Sequence, residues 1–341
     1  MDFKLAKVRD LENDSIFRPL LVYVGVEAKK RIVDDLVFEC AEAATYLTYR
    51  DSKTVIENFT NAEVSRCRIH DCAQRVGAFM NQERRKAPVK YQDLVEGDGT
   101  KCHGFYGKKN EIGVILGKNQ GTGEKSLLGL SVNEDWKETI GQFRGKADVA
   151  VSDNEPSLRK ALLEIATDYQ ACVRHCRGDV GFYLWNAGLP KEQRREIAKK
   201  LTVILQTLRN SVKKHLVDRD FERLKWRISW ALRELDGLSR ELFLDGLDTV
   251  ARFIRNAANY MVTFARLAMK GICIHITNNL IERLMGEVAK RVKHKWMHWS
   301  TRGLENLLNI LLARYCNKRV YNEMKEKYLS TNATIVKIAI T

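Results

Sequence analysis

Long uninterrupted apolar runs are missing from this chain. Its most apolar stretch, Phe264 to Ile276, is broken by Arg266 and Lys270, whereas a bilayer-spanning helix needs roughly 20 consecutive apolar residues. No membrane association is expected. The start, Met1-Asp2-Phe3-Lys4, also lacks the apolar core of a secretory leader. The expectation is therefore a cytoplasmic protein, nucleoid-associated if the source is prokaryotic. Its eight cysteines are then expected as reduced thiols. They also lack the spacing of a closed zinc site: Cys67, His70 and Cys72 have no second pair nearby and are read as helix-face residues. Acidic residues are in short supply, with 43 Asp and Glu against 58 Lys and Arg, a net charge of +15. The basic excess is spread along the chain instead of sitting in one tail. A folded protein this cationic is expected to have a polyanionic partner, nucleic acid first, because neutralising phosphates releases counterions. A hydrophobic content of 45% excludes disorder as an account of the charge.

What is present falls into four regions: a helical N-terminal region at 1–88, the first part of an α/β core at 89–176, an all-helical insertion at 177–275, and a last helical region at 276–341. Ile32 to Tyr49 and Ser52 to Asn58 carry apolar residues at helical spacing. Thr48 to Glu57, a break at 58–61, and Val64 to His70 read as a helix-turn-helix. Arg66 and Arg68 at the start of the second helix suit phosphate and groove contact. From Tyr91 to Gly97 the pattern turns to strand and is expected to stop at Asp98-Gly99-Thr100. Glu111 to Lys118 and Lys125 to Val132 are two more strands, joined by a glycine-containing turn. A short helix (Trp136 to Phe143), a buried strand ending at Asp153, a helix opened by Pro156 and a short strand (Asp168 to Cys172) complete a mixed five-stranded sheet. No strand signal is visible from 177 to 275. Lys191 to Leu216, Phe221 to Leu235 and Arg240 to Lys270 are expected as long amphipathic helices. Pro190 and Gly237 are read as boundaries, Val217 to Arg219 as a turn, and Trp226 and Trp230 as core. Gly303 to Tyr315 is a closing amphipathic helix.

If the first and fourth strands are parallel neighbours, Asp98 and Asp153 lie side by side at the carboxyl edge of the sheet, where open α/β sheets place their chemistry. Downstream, Thr277-Asn278-Asn279-Leu280-Ile281-Glu282-Arg283 opens a helix through a Thr/Asn capping cluster. It carries Glu282 one turn in, ahead of Lys290, Arg291, Lys293 and Lys295. Taken alone, Glu282 is a surface ion-pair partner or a metal ligand, Asp98 a turn residue, and Asp153 a helix cap. Together the three make an anionic pocket that hard divalent cations would stabilise. Glu287 rivals Glu282, and Asp148, at the start of its strand, rivals Asp153.

These pieces, in this order, resemble the DDE transposases of the Mutator-like superfamily, including the related bacterial and archaeal insertion-sequence enzymes. The matching segments are Glu96-Gly97-Asp98-Gly99-Thr100-Lys101, Val149-Ala150-Val151-Ser152-Asp153, Gln170-Ala171-Cys172-Val173-Arg174-His175 and Thr277 to Arg283. The resemblance covers about residues 40 to 315. It implies a ribonuclease-H-like core with an all-α insertion and an α-helical N-terminal DNA-binding region. It also implies catalysis by two Mg²⁺ or Mn²⁺ ions, and cleavage of transposon-end DNA followed by strand transfer into target DNA. Asp98, Asp153 and Glu282 become the catalytic metal ligands, and Cys172 and His175 a site-organising or DNA-contacting pair. Arg66, Arg68, Arg283, Lys290, Arg291, Lys293 and Lys295 become DNA-binding residues. A homodimer or higher oligomer is expected in the synaptic complex. A nuclease of the same fold, or a domesticated DNA-binding protein without turnover, are the alternative expectations.

Overall fold

The computed structural model describes residues 8–9, 16–17, 33–60, 62–87, 91–294 and 297–332. Val8–Arg9 and Ile16–Phe17 pair as two short antiparallel strands. Then come helices α1 (Asp34–Tyr46), α2 (Tyr49–Thr60) and α3 (Arg66–Lys86), and strands β1 (Gln92–His103), β2 (Lys109–Lys118) and β3 (Lys125–Val132). Helix α4 (Trp136–Gly141), strand β4 (Ala147–Ser152), helix α5 (Pro156–Leu162) and strand β5 (Ala166–Ala171) follow. The remaining described elements are helices: α6 (Val173–Asn186), α7 (Lys191–Asp218), α8 (Phe221–Leu244), α9 (Asp248–Met261), α10 (Thr263–Met269), α11 (Asn279–Val292), α12 (Thr301–Cys316) and α13 (Lys318–Asn332). Among them no helix is long and apolar enough to cross a membrane.

The chain divides into two compact units. One holds Met1–Pro88, Lys101–Ile112 and Gly286–Thr341; the other holds Val89–Thr100 and Gly113–Met285. In the first, α1, α3 and α12 pack on one another. Val37, Phe38 and Ala41 of α1, Ile69, Ala73, Val76 and Met80 of α3, and Leu304, Leu307, Leu308 and Leu311 of α12 are buried at three- and four-residue spacing, the period of one helix face. Ser65 caps α3 by accepting the Arg68 N–H.

The second unit is built on a mixed five-stranded sheet in the order β3-β2-β1-β4-β5. β4 runs parallel to both β1 and β5. Successive side chains of a strand point to opposite faces, and β1 follows that rule. Val95 joins Ile115, Ala150, Leu158 and Leu162 in one core. Leu94 joins Val149, Val151 and Leu267 in another, with Ile272 and Ile274 packed against it. The larger core continues through α7, α8 and α9, where Leu201, Leu205, Leu208, Leu224, Leu235, Val250 and Ile254 are buried.

Several boundaries differ from the sequence expectation, among them the turn expected at Val217 to Arg219, where Val217 and Asp218 still belong to α7. β1 does not stop at Asp98 but runs to His103. Gly97, Asp98 and Gly99 are turn residues by propensity, yet the neighbouring β2 keeps them extended. Gly97 has a packing role instead: a Cβ there would stand 2.9 Å from Leu158 Cδ1. Gly237 lies inside α8 and ends nothing. The break falls at Gly246, whose φ of +76° is the left-handed geometry glycine tolerates after a helix, and the stretch Arg240 to Lys270 is accordingly shared among α8, α9 and α10. Pro190 does precede a helix start, at Lys191. Trp226 is not core: it is 53% exposed, with the Arg227 guanidinium 4.9 Å from its ring, whereas Trp230 packs partly buried against the core.

Candidate metal centre at the sheet edge

The strand register places the first two carboxylates. β1 and β4 pair with Leu94 opposite Val149 and Glu96 opposite Val151. Carried two residues further, that register sets Asp98 level with Asp153. β4 and β5 pair with Ser152 opposite Ala171, so the next step sets Cys172 level with Asp153. The Cys172 N–H, donating to Ser152 O at 2.8 Å, carries the pairing to that step. Asp98 inside β1, and Asp153 and Cys172 just past the ends of β4 and β5, therefore stand at one level of the sheet.

The turn after β4 leaves one oxygen of Asp153 without a partner among the described residues, while the Glu155 N–H bears on its carboxylate. Glu155 is the cap of α5, accepting the N–H groups of Ser157 and Leu158 at 3.1 and 2.9 Å. Asn154, at φ +44°, is held in the left-handed region by the Tyr169 hydroxyl, which accepts its N–H, and by Arg159, which donates to its Oδ1. Asp153 Oδ1 is buried with no hydrogen-bond partner among the described residues.

Glu282 arrives through a contact between distant parts of the sequence. Glu96, 2% exposed on β1, accepts the Ile281 N–H at 2.8 Å and so satisfies one of the free donors in the first turn of α11. This pins the helix bearing Glu282 to the strand bearing Asp98. Burial pushes the Glu96 carboxyl up to about 7, against the pull of the Ile281 and Leu280 N–H groups. Glu282 Oε2 accepts from Arg174 Nη1 at 2.9 Å, and Glu282 Oε1 lies 3.7 Å from His175 Nε2. That Oε1 is buried without a hydrogen-bond partner among the described residues, as is His175 Nδ1. Donor atoms of Cys172, His175 and Glu282 all fall within 4.8 Å of one another.

The charges at this edge act on each other. Burial raises the Asp98 carboxyl to about 6; Asp153 and Glu282 push it the same way, and the Gly99 N–H, donating at 2.7 Å, and His175 oppose them. Burial likewise raises Asp153, with His175 again opposing. His175 is held up at about 9, first by the Cys172 side chain against it and then by the Asp153 and Glu282 carboxylates. The crowding is therefore anionic, offset at close range by Arg174, His175 and the Gly99 and Glu155 N–H groups. A divalent cation would satisfy the unpartnered oxygens and favour the ionised carboxylates, so the donor set fits a hard metal ion.

The competing residues are otherwise engaged. Glu287, in the other unit, has one carboxylate oxygen on Lys290 at 2.6 Å and the second on the Tyr315 hydroxyl at 2.9 Å. Asp148 accepts from the Tyr91 hydroxyl. Of the expected DNA contacts, Arg66, Arg283, Lys290 and Lys293 are exposed and Arg68 is half-buried. Lys295 lies outside the described residues. Arg291 needs correction: it is 4% exposed, its Nε donates to Ala44 O at 2.8 Å, and its guanidinium lies 5.0 Å from the Trp299 ring. It is a core residue of its unit and has no face left for a phosphate. Cys172 is fully buried, and His175 is half-buried.

Sequence reasoning missed Glu96, Arg174 and Gln170. Gln170 is fully buried; its Nε2 donates to Ala171 O and Met261 O, and its Oε1 accepts the Phe264 N–H, so it closes the break between α9 and α10 onto β5. A carboxylate or amide inside an apolar strand, as in Leu94-Val95-Glu96 and Tyr169-Gln170-Ala171, is the signal that marks such residues.

No protein-family model matches the chain, and no curated protein sequence matches it.

Proposed function

We propose that the protein is a DDE-type transposase similar to those of the Mutator-like superfamily, with a ribonuclease-H-like core. It cleaves phosphodiesters at transposon ends and transfers the freed strand into target DNA. The observation that supports this reading is that Asp153 and Glu282, from distant segments, come near enough to Asp98 to raise its carboxyl. Asp98 and Asp153 stand level on parallel strands, and Glu282 is drawn to them by the Glu96 contact with the first turn of α11.

Asp98, Asp153 and Glu282 would hold two Mg²⁺ or Mn²⁺ ions. Such ions, when bound, activate a water or a 3′-hydroxyl and stabilise the leaving oxygen in an in-line displacement. The chain's own part is positional and electrostatic. Glu96 fixes the helix that carries Glu282, and Glu155 caps α5 in place of Asp153. Arg174, 70% exposed beside Glu282, supplies positive charge where a scissile phosphate would sit. Exposed Arg66, Arg283, Lys290 and Lys293 hold the DNA backbone, and the segment α2–α3 serves as the helix-turn-helix. Pairing of two ends calls for a homodimer or higher oligomer.

The test is metal-dependent nicking of an oligonucleotide carrying the terminal repeat that flanks the gene. Nicking requires Mg²⁺ or Mn²⁺ and is lost in Asp98→Ala, Asp153→Ala and Glu282→Gln; cleavage retained in all three variants sinks the reading. Joining of a precut end to target DNA separates a transposase from a nuclease. Salt-dependent DNA binding without cleavage points to a domesticated binder.

A further inference from the structure

The edge that carries the three carboxylates carries a second donor set of different chemistry. Cys172 follows the last residue of β5 and is the N-cap of α6, and His175 comes three residues later, one helical turn on, with its donor atoms within 4.8 Å of the Cys172 sulfur. The third donor comes from α11, where Glu282 offers Oε1 while Arg174 holds Oε2. From Cys172 and His175 alone a zinc site is incomplete; Glu282 supplies what the sequence spacing does not show.

We infer that Cys172, His175 and Glu282 form a binding site for a thiophilic divalent cation, Zn²⁺ foremost, which takes Glu282 away from the hard-metal centre. In a tetrahedral zinc site, nitrogen and oxygen ligands at roughly 2.0–2.1 Å stand about 3.4 Å apart. His175 Nε2 and Glu282 Oε1 are 3.7 Å apart already, and all three donors lie within 4.8 Å of one another. Glu282 Oε1 is buried and has no hydrogen-bond partner among the described residues, as an oxygen kept for a ligand would be. Arg174 on the second oxygen is the outer partner that orients a ligating carboxylate. The Glu282 side chain is 23% exposed and that of His175 37%, which leaves a fourth position open to water. Cys176 does not fill it, being fully buried in the core. On binding, the Cys172 thiol and the His175 imidazolium each give up a proton to solvent, so that sulfur ligates as thiolate and nitrogen as neutral imidazole. Sulfur is a poor ligand for Mg²⁺ and a good one for Zn²⁺, so the two donor sets separate cations by softness and share one carboxylate.

The site itself stands on the geometry above; its consequence, that zinc silences cleavage, rests on the proposed function. The experiment therefore has two arms, both on the full-length chain with the exposed Cys67 and Cys273 replaced by serine to remove competing surface thiols. In the first arm Co²⁺ serves as the probe. One equivalent is expected to give the near-ultraviolet thiolate-to-cobalt band and the visible bands of a tetrahedral complex, and Zn²⁺ to displace it. Cys172→Ser and His175→Ala each weaken Zn²⁺ binding at least about 100-fold, while Asp98→Asn and Asp153→Asn keep the spectrum. A Zn²⁺ absorption edge that counts one sulfur in the background chain needs no further variant. A cobalt spectrum without the thiolate band, or unchanged zinc affinity in Cys172→Ser, overturns the site. In the second arm Zn²⁺ is titrated against Mg²⁺-supported nicking. Inhibition that Mg²⁺ relieves competitively is expected; no inhibition at zinc concentrations that saturate the cobalt site overturns the sharing of Glu282. If nicking is absent altogether, the spectral arm still decides the site.

Discussion

Helix α11 is two helices in chemical terms. Its first half, Asn279 to Met285, belongs to the sheet-bearing unit, and its second half, Gly286 to Val292, to the helical unit. Each half carries one glutamate and at least one arginine. In the first half Glu282 has a buried oxygen with no hydrogen-bond partner among the described residues, and it crowds Asp98. In the second half Glu287 spends both oxygens on Lys290 and Tyr315, and Arg291 is sealed against Ala44 and Trp299. Native structures leave few buried polar groups unpaired. Where several such groups gather with raised carboxyl pKa values in one cleft, function is the better account. Where every donor and acceptor has its partner, the residue is explained by packing.

The contrast breaks or holds first on activity. Glu282→Gln keeps the shape of the side chain and removes the charge a metal ion needs, so nicking is expected to fall on the order of 10³-fold or more, with the circular dichroism spectrum unchanged. Asp98→Ala and Asp153→Ala belong with it. A Glu282→Gln protein that still nicks within tenfold of wild type would remove the distinction between the two halves. Next in size is Arg291→Ala, expected to act on stability alone. It leaves Ala44 O without its donor and strips a cation from the Trp299 ring, at a cost of about 3 kcal/mol. The unfolding midpoint in denaturant shifts accordingly, while the salt dependence of DNA binding stays as it was. A flatter log-affinity against log-salt slope would instead return Arg291 to the phosphate contacts.

Glu96 tests what ties the first half of α11 to the sheet. Glu96→Leu loses the acceptor for the Ile281 N–H and is expected to lower nicking roughly 10- to 100-fold, as outer partners of metal ligands do. Glu96→Gln retains an acceptor oxygen and recovers most of that loss. The same pair gives a pH signature in metal-free buffer. The Glu96 carboxyl is raised from 4.5 to about 7 in the folded chain, so the folded state holds its proton more tightly. Its contribution is complete below pH 4.5 and is lost as pH rises through 7. Wild type is therefore expected to lose stability relative to Glu96→Gln across that window, and parallel pH profiles would reject the buried acceptor.

How much of this was legible follows from where each partner sits. Asp98 and Asp153 could be set side by side through parallel pairing and one topological rule, although the strand end expected at Asp98 lies inside β1. Glu96 was not legible as a partner of Ile281, because only folding brings residues so far apart in the chain together. Arg291 was misread although a signal existed. Ile281, Leu284, Met285, Val288 and Val292 are the buried face of α11, and a residue three beyond Val288 falls on that face, whatever the basic run around it suggests. At Gly237 and Gly246 the sequence offers two glycines near a helix end. The Asp245-Gly246 pair is the stronger break, since it follows the last apolar turn of α8.

The smallest effect expected is the most discriminating. Glu287 and Glu282 lie on the same helix, and in sequence either is an acceptable third carboxylate behind the Thr277-Asn278-Asn279 opening. Glu287→Gln keeps an oxygen for the Tyr315 hydroxyl and loses only the charge that faces Lys290, an exposed pair of the kind that contributes little in water. Nicking within about twofold of wild type is expected, with no measurable change in the unfolding midpoint. The effect on DNA affinity has a definite sign: releasing Lys290 from Glu287 frees a cation for phosphate, so binding at low salt strengthens and its salt slope steepens. A large loss of nicking in Glu287→Gln, with Glu282→Gln near wild type, would exchange the roles of the two halves. It would also leave Asp98 and Asp153 without the partner that the Glu96 contact holds beside them.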